Sequence, residues 1–188
     1  MAMDKRLSNL QLRVWLTVVG AAVLIIGTAY AMVQQSTRLS ADDLPLTTAQ
    51  VTKQELQSGS NPNDVVPSLK TDLRSDTSVF VIITDDSKHV LASSASLDGQ
   101  TPLPPAGVFS FTTLKGTDHF TWQPETGVRL ATRVESYTNG SDKGFIVTGQ
   151  SLKPYEDRIN TYTWLAAAGL LAVVAWSYLL LLLPRLKK

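Results

Sequence analysis

Two arginines, Arg129 and Arg133, stand in a stretch, Val128–Tyr137, that alternates between apolar and polar side chains. A period of two is that of a β-strand. It puts Arg129, Ala131, Arg133, Glu135 and Tyr137 on one face and Val128, Leu130, Thr132 and Val134 on the other. Two guanidiniums on one face suit a carboxylate or phosphate, which they hold through paired hydrogen bonds. Tyr137 continues that face, and Trp122 on the preceding strand is placed to wall it with an apolar surface. Trp122, Arg129, Arg133 and Tyr137 are therefore the candidate ligand-binding residues, and a small anion is the candidate ligand. The competing reading is a solvated sheet face, with Arg133 paired to Glu135 or to a neighbouring strand.

Other chemistry is thinly represented. The chain has no cysteine, so it offers no thiol nucleophile, thiolate metal site or disulfide framework. His89 and His119 read as polar residues at strand starts, with a metal pair as the alternative. Asp85-Asp86 reads as a solvated turn rather than a site for Ca²⁺ or Mg²⁺. No serine lies in a Gly-x-Ser-x-Gly elbow. Asn139-Gly140-Ser141 matches a glycosylation acceptor, but Asn-Gly is first a turn signal. Neither a catalytic set nor a cofactor is expected, and without a basic patch nor is nucleic acid.

The elements that must position these residues come from an uneven distribution of charge. Of 188 residues 44% are hydrophobic and 18% charged, and mean hydropathy is near zero, which is high for a soluble domain. Between Arg13 and Arg38, and again between Arg158 and Arg185, no residue carries a formal charge. About twenty helical residues cross the hydrocarbon core, so each run is long enough to span a bilayer as a helix. Trp15 and Tyr30 bracket the first, and Tyr162, Trp164 and Tyr178 lie on the second, as interfacial aromatics do. Lys5, Arg6 and Arg13 precede the first span; Arg185, Lys187 and Lys188 follow the second. Basic ends predict that both termini are cytoplasmic and that the acidic middle is extracytoplasmic. A rival reading takes Lys5, Arg6 and Arg13 with Ala29-Tyr30-Ala31 as a cleavable signal peptide, leaving one span. Gly20, Ala21, Ala22 and Gly27 on the first span, and Ala166–Gly169 on the second, permit close packing, either within the chain or in a homodimer. The absence of ionisable residues in either span argues against a transport path.

Between the spans remains room for one modest domain. Residues 34–38 should prolong the first helix, and a short helix is expected over Ala49–Leu56. Asp64 is placed to cap another through about Leu73, with Pro67 in its first turn. Val79–Ile83 is β-rich and wholly apolar, which predicts an interior strand. His89–Ser93 returns as a second strand after a turn. Residues 96–107, rich in Pro and Gly, predict an irregular connection. Strands follow at His119–Trp122, Val128–Tyr137 and Gly144–Gly149, and Ser151 should cap a helix leading into the second span.

Helix, two strands, loop-rich crossover, three strands, helix is a layout that resembles an extracytoplasmic PAS/Cache-like sensor domain, most closely the outer domains of bacterial transmembrane histidine kinases. The matching stretches are Val79–Asp85 with His89-Val90-Leu91-Ala92-Ser93-Ser94, Trp122-Gln123-Pro124 with Gly127-Val128-Arg129-Leu130-Ala131, and Gly149-Gln150-Ser151-Leu152. The resemblance covers roughly residues 34–160 and both flanking spans. It implies an α+β fold: a five-stranded antiparallel PAS/Cache-like sheet with N-terminal helices on one face, between two transmembrane helices. The expected organisation is a cytoplasmic N-terminus (1–13), transmembrane helix 1 (14–34), the extracytoplasmic PAS/Cache-like domain (35–160), transmembrane helix 2 (161–183) and a cytoplasmic C-terminus (184–188). Pro184-Arg185-Leu186 resembles the start of the coupling segment of such kinases, but no phosphoacceptor helix or nucleotide-binding domain follows. The function so implied is the sensory module of a two-component signal-transduction system in the plasma membrane, not an enzyme in itself. Its partners would be the bilayer, a membrane or cytoplasmic protein and the small anion. The alternative is a scaffold that docks an envelope partner and senses nothing; truncation of a longer kinase is a further one.

Overall fold

A computed structural model describes the backbone of residues 2–186 and the side chains of residues 9–182. The side chains of Lys5, Arg6, Arg185, Lys187 and Lys188, on which the expected orientation of the chain depends, lie outside the described residues. The chain divides into two compact units, residues 38–156 and a second made of residues 1–37 with 157–188.

The larger unit is an α+β fold. A small parallel pair, β1 (Thr71–Asp72) with β4 (Ala95–Ser96), lies apart from a main sheet of five antiparallel strands. Those five are β2 (Phe80–Asp85), β3 (Val90–Ser93), β5 (Thr117–Glu125), β6 (Val128–Asn139) and β7 (Asp142–Ser151). They lie side by side in the order β3-β2-β7-β6-β5. β2 is interior, as its unbroken apolar run predicts, because both of its faces are covered. Phe80 and Ile82 join Leu130, Val134, Phe145 and Val147 on one face, closed by Phe109 of α3 (Ala106–Lys115). Val81 and Ile83 join Tyr137 and Ile146 on the other, closed by Leu56 at the end of α1 (Ala2–Gln57). Helices therefore cover both faces, not one. The reason is that both faces of β2 and β7 are apolar, so neither can be left to water.

Other expectations change with the packing. The short helix expected over Ala49–Leu56 is the end of α1, which runs on through Pro45 to Gln57. Its buried residues Ala41, Ala49, Thr52 and Leu56 keep helical spacing, but small side chains make that stripe faint in sequence. The helix expected from Asp64 to Leu73 shrinks to α2 (Pro62–Val65), with Asn61 rather than Asp64 as the cap. Val66 is extended at ψ 134° because the following Pro67 excludes the helical region there. Within the stretch expected to be irregular, α3 begins at Ala106 and ends on Gly116 at φ 83°. Aromatic and β-branched residues (Val108, Phe109, Phe111, Thr112 and Thr113) hide its helical tendency.

Close backbone approach sets two glycines in β7. A Cβ on Gly144 would lie 1.9 Å from the Thr84 carbonyl oxygen, and one on Gly149 would lie 2.7 Å from that of Ala131. Both positions face a neighbouring strand directly, in the pairs Asp85↔Gly144 and Thr132↔Gly149.

The smaller unit consists of the first part of α1 and of α4 (Lys153–Leu186) from Asp157 onward. Both helices are long and apolar enough to cross a membrane. Within this unit Trp15 Nε1 donates to Ser177 Oγ at 2.9 Å, and the Tyr30 and Thr163 hydroxyls lie 2.7 Å apart. Nothing lies within 4 Å of a Cβ built on Gly20, Gly27 or Gly169. These glycines therefore do not serve packing within the described chain.

Candidate functional site

The four residues singled out in the sequence do not converge. Trp122 pairs with Leu130 across β5 and β6, which puts it on the face opposite Arg129 and Arg133. It is buried there, edge-on to Phe80 with ring centroids 6.5 Å apart. It therefore cannot wall an arginine site. Arg129 is bonded to Glu156 at the start of α4, with both side chains about half exposed. Arg133 Nη1 donates to Thr117 Oγ1 at 3.2 Å, while its Nε is buried without a partner. Arg133 is not paired to Glu135, whose carboxylate instead meets Lys53 of α1 at 3.3 Å. That sheet face is solvated toward β5, where Arg129, His119 and Thr121 are exposed and Arg133 is bonded to the neighbouring strand, as the competing reading allows. Toward β7, α1 covers it, with Thr148 donating to the Pro45 carbonyl at 2.8 Å and Gln150 to that of Ala41 at 2.9 Å. The paired-arginine anion site is not assembled.

Tyr137 is the exception, since it lies at a cleft. The β2–β7 register sets Asp85 opposite Gly144, and β6 joins β7 through the tight turn Asn139–Asp142. The two polar turns of the sequence, at Asp85–Lys88 and at Asn139–Asp142, are thereby brought to the same end of the sheet. Between them and the end of α1 is a cavity of about 590 Å³, lined by Leu56, Leu91 and Tyr137 and by Asp86, Asn139 and Asp142, among others. Asp85, Asp86 and Asp142 outnumber Lys143 on its walls.

The electrostatics of the cleft follow from these neighbours. The backbone N–H of His89 donates to Asp85 Oδ1 at 2.8 Å, and the His89 ring stands 3.1 Å from Oδ2. These bonds, the backbone one foremost, hold the Asp85 carboxyl below the usual carboxylate range. His89 thus closes the turn that leads into β3, while His119 sits exposed on β5 opposite Arg133. Burial pushes the Tyr137 phenol up, and the nearby Asp142 and Asp85 add to the effect. Its hydroxyl donates to the Thr84 carbonyl over a long 3.4 Å. Among the described residues no group of three or more His, Asp or Glu is placed to hold a metal ion.

Sequence reasoning missed Leu56 and Asp142 and read Asp86 and Asn139 as turn residues. The turns were legible, but their meeting depends on strand register, which no local pattern shows. Comparison with family models, with curated proteins and with solved structures finds no match to this chain.

Proposed function

We propose that the protein is a membrane-anchored extracytoplasmic sensory module of a bacterial signal-transduction system, PAS/Cache-like in its outer domain. The observation that carries this reading is the cleft, which forms at one end of a sheet whose domain is flanked in sequence by two helices able to cross a bilayer. The element order of that domain supports the same reading. Its ligand is received beside Tyr137. The carboxylates on the walls favour a ligand with a positive charge or several hydrogen-bond donors, rather than the anion suggested by the arginines. Occupancy then shifts the two long helices, and an output protein in the membrane or cytoplasm reads the shift. Both termini are cytoplasmic in this account.

Two measurements test it. Because the chain has no native cysteine, Ser141→Cys is a unique thiol. In intact cells it is expected to react with a membrane-impermeant maleimide; protection until lysis would refute the orientation. Thermal unfolding of the full chain in detergent is then followed with small amines and with small carboxylates. Stabilisation by an amine, lost in Asp86→Asn with Asp142→Asn, is the expected result. No shift with any compound would favour the second reading, a scaffold that docks an envelope partner. That reading draws on Phe111, Leu114 and Leu69, large apolar side chains exposed on the outer unit.

A further inference from the structure

Pro45 lies inside α1 and has no backbone N–H, so the Ala41 carbonyl, four residues earlier, has lost its helical donor. Ala41 is buried, and water does not replace the missing bond. The donor comes from another element: Gln150 Nε2, near the end of β7, reaches the Ala41 carbonyl at 2.9 Å. The same Nε2 donates to the Tyr155 hydroxyl at 2.8 Å, in the first turn of α4, and that hydroxyl stands 3.5 Å from the Ser40 carbonyl. Gln150 itself is 3% exposed. One buried amide therefore ties α1, β7 and α4 together at the point where chain enters and leaves the outer unit.

The position matters because β7 and α1 both extend from this network to the cleft. Gln150 and Asp142 lie eight residues apart on β7, roughly 27 Å along a strand. Ala41 and Leu56 lie fifteen residues apart on α1, roughly 22 Å along a helix. A displacement of α1 along β7 at the cleft loads the Lys53–Glu135 and Thr148–Pro45 contacts and, at the far end of the same series, the Gln150–Ala41 bond. The bond is also exchangeable: Ala41 needs it only because position 45 is proline.

We infer that Gln150 is a latch that holds the α1 and α4 ends of the outer unit together, and that its release loosens those two ends, leaving them the longer Tyr155–Ser40 contact. This rests on the sensory reading for its purpose, but not for its test, which uses no ligand.

Hydrogen exchange is measured on the full chain in detergent micelles for the wild type, Gln150→Leu, Pro45→Ala and the double variant. Gln150→Leu is expected to raise exchange roughly tenfold in both residues 42–49 and residues 154–157, since a buried carbonyl loses its donor. Pro45→Ala restores a backbone N–H to Ala41. In the double variant, exchange in residues 42–49 should therefore return to within about twofold of Pro45→Ala alone, while residues 154–157 stay raised. A merely structural glutamine would instead raise exchange across residues 145–148 of β7 as well and show no rescue by Pro45→Ala. That outcome, or unchanged exchange in Gln150→Leu, overturns the latch. Tyr155→Phe is a milder second variant, expected to raise residues 154–157 and leave 42–49 alone. Failure of the amine and labelling experiments with the latch intact would overturn the sensory reading only.

Discussion

A guanidinium's value depends on what it already holds. Arg129 and Arg133 share a strand face, yet Arg129 is engaged by Glu156 and Arg133 by Thr117. Because the Arg129–Glu156 pair is about half exposed, Arg129→Ala is expected to cost no more than about 1 kcal/mol. Urea unfolding of the full chain in detergent checks this; a loss of several times that size would show that the pair anchors α4. Tyr137 behaves differently because its phenol is buried and its titration is pushed upward. The unfolded chain ionises this group near its ordinary value of about 10. Stability from keeping the phenol neutral is therefore whole below that pH and falls as pH rises toward the folded value. Tyr137→Phe is expected to remove this alkaline decline, with little change near neutrality since the hydroxyl bond is long. Urea midpoints at about pH 8 and about pH 10.5 measure it. An equal decline in wild type and variant would assign the effect to another group.

At the scale of elements, strand pairing decides what the residues can do. The interior place of β2 was legible from Val79–Ile83, because an uninterrupted apolar run must be buried on both faces. The alternation of β6 was legible too. Which residues its neighbours bring to each face was not: Trp122 stands opposite Leu130 and so on the far side from the arginines. Helices were harder. α3 is built from residues with poor intrinsic helix tendency and is held by Phe109 against Phe145, ring centroids 5.1 Å apart. The outer part of α1 passes through Pro45, a residue that ordinarily ends or kinks a helix, and it persists because β7 side chains serve its carbonyls. Gly144 is the sharpest test of the sheet. A methyl at 1.9 Å from the Thr84 carbonyl oxygen forces β2 and β7 apart. Gly144→Ala is expected to cost at least about 3 kcal/mol, read as a lowered urea midpoint with an unchanged slope. A variant as stable as wild type would mean that the β2–β7 register differs from the one described.

At the scale of the molecule, two units of different solvent preference occur in one chain. In the helical unit, Trp15 and Ser177 bond near one end and Tyr30 and Thr163 near the other. The spacing matches, fifteen residues on α1 and fourteen on α4, as an antiparallel pair in fixed register requires. Such bonds are worth about 0.6 kcal/mol on average in lipid, so Trp15→Phe should weaken the pair only slightly. Forced separation of the helices in bicelles checks this, and a loss of several kcal/mol would point to a larger role for the indole. Two apolar runs, an acidic middle and the interior character of β2 follow from local composition and period, because solvent preference and backbone geometry act on neighbours in sequence. That much the chain declares by itself. The cleft at Tyr137, the scattering of the candidate anion site and the service of Gln150 to Ala41 were decided by tertiary structure. Each depends on contacts between residues dozens of positions apart, and no local pattern encodes which strand lies beside which or what a proline-freed carbonyl will find.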